Sequence, residues 1–265
     1  MKYVLITGAN GGIGSACVES AINYGYFVFA LDKKECIKKD NCIPIVADIT
    51  NEEDLKKAFD VIASYTNELY AIIHFSGVYM LDSLIEIEKE RYDNIVDVNV
   101  KGAYLVNKTF FPMLKKDSRI LVTTSELATL NPLPFTGIYA FTKKALDSYT
   151  YSLRMELQLL GIQVSVLRAG AVDTKMLSKS QAELDNFLAH TKNYHVSASN
   201  FKEIVEKVEA KNITPEKLSG KVLKIISKKK QKFAYSINRN KLLLLLNILP
   251  KKMQFYIIKK ILNKK

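Results

Sequence analysis

The chain has 265 residues, 48% of them hydrophobic and 25% charged, which suits a single α/β domain and excludes a disordered chain. Its eleven glycines and six prolines are too few for a collagen-like or low-complexity protein. The net charge of +12 is concentrated at one end: residues 221–265 hold fourteen Lys or Arg and no Asp or Glu, so residues 1–220 carry −2.

Short apolar runs alternate with amphipathic stretches of helical length, the pattern of successive βαβ units. The first run, Tyr3–Thr7, is strand-sized and unlike a secretion signal. Strands follow over Phe27–Asp32, Ile43–Ala47, Ala71–Phe75, Arg119–Thr123 and Gln163–Arg168, with a seventh over Lys232–Ile237. These runs are apolar without alternation, as parallel strands covered on both faces should be. The expected fold is therefore an α/β, doubly wound, Rossmann-type parallel sheet of about seven strands with helices on both faces.

Between the strands, Ile13, Ala16, Cys17, Ala21 and Tyr24 recur at helical spacing and Gly25 is placed to end that helix. Thr50 to Glu53 reads as a capping box for the next one. The longest helices are expected over Glu90–Leu114 and Tyr139–Leu160. Residues 1–237 form the domain; 175–213 are an insertion with helices near Ser180–Lys192 and Phe201–Lys211; 238–265 are a basic, apolar helical appendage. Cys17, Cys36 and Cys42 have no metal or disulfide spacing and fit a reducing, cytoplasmic compartment. His74, His190 and His195 are scattered, so no metal site is expected.

The first strand runs into Gly8, Gly11, Gly12 and Gly14 and then into a helix. Missing side chains let the backbone approach a pyrophosphate, and the helix start offers free N–H groups, so a dinucleotide is the natural ligand. Asp32, ending the second strand, can accept from both ribose hydroxyls of the adenosine and would repel a 2′-phosphate. That favours NAD, while Lys33 and Lys34 leave NADP open. Tyr139 and Lys143 lie four apart on a helix that follows the fifth strand, with Ser125 at the end of that strand. An ammonium beside the phenol should lower its pKa from about 10 toward the range a general acid/base needs.

With these motifs the chain resembles the short-chain dehydrogenase/reductase family from Lys2 to about Thr174. The resemblance implies Tyr139 as acid/base, Lys143 as its modulator and ribose ligand, Ser125 as substrate orienter, and Asn99 as the residue that supports the lysine through a water. It implies dinucleotide contacts from Gly8, Asn10, Gly12, Ile13, Gly14, Asp32, Asp48, Ile49, Ser76 and Gly77, besides Tyr139 and Lys143, with Val172 and Thr174 at the nicotinamide end. His74 and Ala169 depart from the family pattern, and His74 reads as a satisfied core residue. Either Gly11 or Gly12 can complete the glycine motif; only 91 residues follow Thr174, which points to the shorter, single-domain oxidoreductases.

The implied activity is NAD(P)-dependent interconversion of an alcohol and a carbonyl on an apolar small molecule such as a lipid, retinoid or steroid. The alternative is a catalytically silent dinucleotide sensor or scaffold, which would not need Asn99, Ser125, Tyr139 and Lys143 together. Residues 175–213 are expected to cover the substrate, with Met176, Leu177, Phe187 and Leu188 as candidate pocket walls or ordinary helix packing. The apolar run in the tail is too short to cross a bilayer, and Pro250 interrupts it. Residues 240–265 either lie on a membrane surface or pack on the insertion or on a second subunit. The resemblance implies a homodimer or homotetramer, and no nucleic-acid partner is expected, since Phe233, Tyr235, Phe255 and Tyr256 form no evident stacking platform.

Overall fold

The computed structural model describes residues 1–36, 38–209 and 212–264, and their side chains except at 175–179 and 206–209. The apolar runs become β1 (Lys2–Thr7), β2 (Tyr26–Asp32), β3 (Cys42–Val46), β4 (Leu69–His74), β5 (Leu114–Ser125), β6 (Gln163–Ala169) and β7 (Ala234–Ile237). They pair in parallel in the order β3-β2-β1-β4-β5-β6-β7. The helices are α1 (Gly12–Asn23), α2 (Glu52–Ala63), α3 (Lys89–Val96), α4 (Gly102–Phe110), α5 (Gly137–Leu157), α6 (Lys175–His190), α7 (His195–Glu209), α8 (Pro215–Ile226), α9 (Lys241–Ile248) and α10 (Lys251–Leu262).

Period-two alternation sends neighbouring side chains of each strand to opposite faces, and both faces are covered. Leu5, Phe29, Ile72 and Val122 pack with Leu55 of α2, Phe110 of α4 and Leu146 of α5. Ile6, Ala30, Ile73 and Leu121 pack with Cys17 of α1 and Val222 of α8. A separate cluster, Leu81, Phe135, Phe187, Phe201 and Leu262, joins the insertion to the tail. The chain reverses its direction of strand addition between β1 and β4, and in open α/β sheets the crevice at the carboxyl end of such a point receives ligands.

Most expected elements are present with shifted ends, and two differ for identifiable reasons. The helix expected over Glu90–Leu114 is interrupted by a π turn over Asp97–Lys101 and closes in a tight turn over Phe111–Met113, where Pro112 has no N–H to continue it. Leu114 is taken into β5, which starts there instead of at Arg119. A register shift follows, and the Ser118 hydroxyl bridges it by donating to the Leu69 carbonyl (2.7 Å) and accepting from the Lys115 N–H (2.9 Å). The cap of α2 is Asn51, whose side chain accepts from the Glu53 and Asp54 N–H groups; Thr50 instead donates its hydroxyl to Asp48 (2.7 Å). Gly25 closes α1 at φ +87° as expected. The second insertion helix is α7, which starts at His195 ahead of Phe201; residues 210 and 211 of its expected end lie outside the described residues.

His74 is the satisfied core residue expected of it. Its Nε2–H donates to Asn107 Oδ1 at 2.9 Å, and burial, only partly offset by this bond, pushes its pKa down from 6.5 to about 4. The folded protein holds the ring neutral, whereas the unfolded chain protonates it below 6.5. Its contribution is therefore complete above pH 6.5 and is lost progressively as pH falls toward 4, to the order of 3 kcal/mol. His74→Asn is expected to flatten the acid limb of the urea midpoint against pH over that window. An unchanged limb would assign the acid sensitivity to other groups.

Candidate active site

The expected site residues lie at strand ends, in the loops that follow them, at the start of α1, on the π turn and in the first two turns of α5, and at Gly8, Gly12 and Gly14 the backbone leaves no room for a side chain. Gly8 adopts φ +68°, and a β-carbon on it would lie 2.5 Å from the Ser76 nitrogen; one on Gly14 would collide with the Gly8 carbonyl. One on Gly12 would lie 2.8 Å from Thr174, whereas Gly11 meets only the Gly8 carbonyl at 3.2 Å. The pattern closed by Gly12 is thus the one that touches the opposite wall of the crevice. Asp32 bridges the turn to the end of β2 by accepting from the Asn10 N–H (3.0 Å) and the Lys34 N–H (3.0 Å). Lys33 turns away from it and pairs with Asp48 at 2.7 Å. Asp48 also accepts from the Thr50 N–H (2.9 Å), and Ile49 packs beneath Gly102 of α4. Neither Asp48 nor Ile49 lines the main cavity, and neither do Asp32 and Asn99.

Ser125 is the last residue of β5, and Tyr139 and Lys143 stand one turn apart on α5. Ser125 hydrogen-bonds Tyr139, and Tyr79 meets the Tyr139 ring edge-on with centroids 4.8 Å apart. The Lys143 ammonium is 5.7 Å from the Tyr139 ring centroid. It also borders Gly77, where a β-carbon would lie 3.2 Å both from that nitrogen and from Asn99 Oδ1. Asn99 lies on the π turn, fully buried. Its Oδ1 accepts from the Val78 N–H (2.8 Å), and its Nδ2 donates to the Val78 carbonyl (2.9 Å) and to the Thr142 hydroxyl (3.1 Å). A π turn presents a side chain that a regular helix would aim elsewhere, and such turns recur at functional sites.

The expected acidification of the phenol is not what this arrangement gives. Burial pushes Tyr139 up to about 12, with the Ser125 bond only partly opposing it, and burial pulls Lys143 down to about 8. Desolvation outweighs the ammonium because both groups sit in the same apolar enclosure.

That enclosure is a cavity of about 570 Å³ extending from Ile13, Gly77, Val172 and Thr174 to Ser125, Tyr139 and Lys143. Its far wall comes from the tail: Leu243 and Leu246 of α9, Leu249 directly after it, and Ile257, Ile258 and Ile261 of α10. The insertion adds Phe201, Ile204 and Val205. Phe187 and Leu188, candidate wall residues from sequence, pack instead in the cluster behind it, and the side chains of Met176 and Leu177 lie outside those described. The tail is fastened to the site. The buried Glu126 carboxylate, next to Ser125, accepts from the Asn240 N–H (2.7 Å) at the start of α9, and Asn131 donates its N–H to Asn247 (2.6 Å) and its Nδ2–H to Gln254 (3.0 Å). Sequence reasoning missed Glu126; its place beside Ser125 was the only available signal.

A dinucleotide fits these residues. The glycine turn forms a cradle that β-carbons would fill, and the Thr123 hydroxyl lines the cavity without a hydrogen-bond partner. Among the described residues no group of His, Cys, Asp and Glu is arranged to hold a metal ion.

Comparison with known proteins agrees with this geometry. The model of the short chain dehydrogenase family matches residues 2–185. The chain is 30% identical over 184 residues to an NADPH-dependent 1-acyldihydroxyacetone phosphate reductase of Schizosaccharomyces pombe, covering 67% of this chain but only 62% of that protein. It is 23% identical to a 3-ketodihydrosphingosine reductase of Bacteroides thetaiotaomicron, over 88% of this chain and 86% of the other. The fold is also that of a Brucella melitensis 3-ketoacyl-(acyl-carrier-protein) reductase complexed with NADH, with a TM-score of 0.73 at 22% identity, covering 89% of this chain and 96% of that one.

Glu126→Ala should remove the partner of the half-buried Asn240 N–H, at about 1–3 kcal/mol. Hydrogen exchange should accelerate across residues 240–250 while β1 and β4 keep their protection; uniform protection would mean that the carboxylate does not hold the tail.

Proposed function

The chain belongs to the short-chain dehydrogenase/reductase family, and on that premise we propose that it is an NAD(P)-dependent oxidoreductase that interconverts a carbonyl and an alcohol on a lipid-like molecule. The observation that carries this reading is the convergence of Ser125, Tyr139 and Lys143 on one wall of a cavity whose lining is otherwise mostly apolar. The names of the two reductases above, with their 1-acyl and sphingosine parts, support a lipid substrate.

Bound between the glycine turn and Lys143, NAD(P)H would supply the hydride and its oxidised form would accept one. The Ser125 hydroxyl holds the substrate oxygen, and Tyr139, kept protonated by burial, donates its proton to that oxygen in the reductive direction. Oxidation requires the phenolate, which Lys143 would favour from below the ring. Asn99 acts by fixing the Val78 backbone and Thr142 of α5, and so the floor on which Lys143 rests. Asp32, held at the mouth of the ribose site while Lys33 is drawn to Asp48, supports NAD over NADP.

The reading extends to assembly and location. Phe141, Tyr151 and Met155 are exposed along α5, and Tyr104 is exposed on α4, which suits a homodimer or homotetramer built on these helices. Among the described residues no helix is long and apolar enough to cross a membrane. The basic residues of 240–265 suit a peripheral contact with a membrane from a reducing, cytoplasmic side.

Tyr139→Phe is expected to lower kcat for carbonyl reduction by about 10²–10⁴ while leaving the dinucleotide Kd nearly unchanged. Turnover at the original rate would remove the phenol from the mechanism. Asp32→Ala should lower the ratio of kcat/KM with NADH to that with NADPH by about tenfold or more, the value of a charge-assisted bond. An unchanged ratio would show that Asp32 does not read the ribose.

A further inference from the structure

The helix α9 is apolar on two sides. Leu243, Leu246 and Leu249 face the cavity, and Leu242, Leu245 and Ile248 face outward at 69%, 61% and 79% exposure. Leu242 and Leu245, with Ile261 of α10 (41% exposed), also line the cavity, so its mouth is rimmed by exposed aliphatic side chains instead of the polar rim usual at a site facing water. Beyond the mouth, α10 exposes Phe255 and Tyr256 at 68% and 65%, and Phe255 shares an outer groove with Leu84 and Ile85, exposed by 62% and 76%. Lysines 241, 251, 252, 259 and 260 stand among these groups, and no acidic residue follows Glu216 in the chain.

We propose that this face docks on an anionic bilayer with the cavity mouth against the acyl region, and that the protein takes a chain-bearing lipid ketone or alcohol directly from the bilayer. The proposal rests on the oxidoreductase reading above for the fate of the lipid, though not for the docking. Exposed aliphatic and aromatic side chains would be withdrawn from water, and each lysine near an anionic surface adds about fivefold to partitioning. Inside, Ser125, Tyr139 and Lys143 line the cavity from the sheet and α5, and the leucines and isoleucines of the tail form the facing wall, joined to the site where Glu126 holds the Asn240 N–H. That division matches a molecule whose carbonyl reaches the floor while its chain extends to the mouth.

The chain contains no tryptophan, so Ile248→Trp gives a single reporter at a position that does not line the cavity. With vesicles of mixed phosphatidylserine and phosphatidylcholine, its emission is expected to shift to the blue and to be quenched by brominated acyl chains. Emission unaffected by the vesicles would overturn the proposal. Lys251→Glu with Lys252→Glu should reduce flotation with these vesicles by about 25-fold or more; equal flotation would show that charge does not guide docking.

Delivery is read with the full-length protein and NADH or NADPH, comparing 2-heptadecanone in the vesicles with butanone in water. The combined variant Ile248→Glu and Phe255→Glu should lose at least tenfold in rate on the embedded ketone and keep its rate on butanone. Equal loss on both, or on neither, would overturn delivery from the bilayer. Vesicle insertion without reduction of either ketone would count against the oxidoreductase reading and leave the docking face standing. A concentration-dependent dimer that Ile248→Glu dissociates, with no vesicle binding, would assign the face to a second copy and overturn the proposal.

Discussion

Gly8 and the Ser76 amide approach so closely that a β-carbon on Gly8 would sit 2.5 Å from that nitrogen. The contact joins the carboxyl ends of β1 and β4, the two strands between which the sheet changes its direction of growth. Several expected site residues are placed from this seam. Asp32 is tied to the turn that begins at Gly8, and Gly77, directly after the seam, is the floor shared by Lys143 and Asn99. Backbone contact here is cheap only for glycine, which explains why so local a sequence feature fixes so much of the geometry.

A second constraint is water exclusion. Ser125, Tyr139 and Lys143 are all nearly inaccessible, and the tail closes the side of the cavity away from the sheet. In such an enclosure an ionised group is disfavoured whatever its sign, so the phenol and the ammonium move apart in proton affinity, one upward and one downward. The pairing of Tyr and Lys at helical spacing says nothing of this, because spacing gives proximity and not dielectric.

The sheet and the glycine turn were legible for related reasons. Buried parallel strands leave continuous apolar runs, and a turn that touches a neighbouring strand leaves glycines. The position of β5's start was not legible, because the Ser118 bridge that holds the register shift depends on the Leu69 carbonyl of another strand. Thr50 read as the cap of α2, and nothing local shows that Asp48 claims its hydroxyl and leaves the cap to Asn51. The tail posed a different difficulty. Leu242 to Leu249 carry no internal sign of which side is covered, and the deciding partners, Glu126 and Asn131, lie more than a hundred residues earlier.

The π turn over Asp97–Lys101 amounts to one extra residue wound into an otherwise regular rod. Ile95 before it packs with Ile138 and Tyr139, and Leu105 after it packs in the cluster that holds Val122. Winding the same residues as a regular helix would rotate one half by about 100° relative to the other. Asn99 would then swing off the Val78 backbone. An improvement in local regularity would thus dismantle the support beneath the lysine, so the uneven winding is itself part of what holds Lys143 in place.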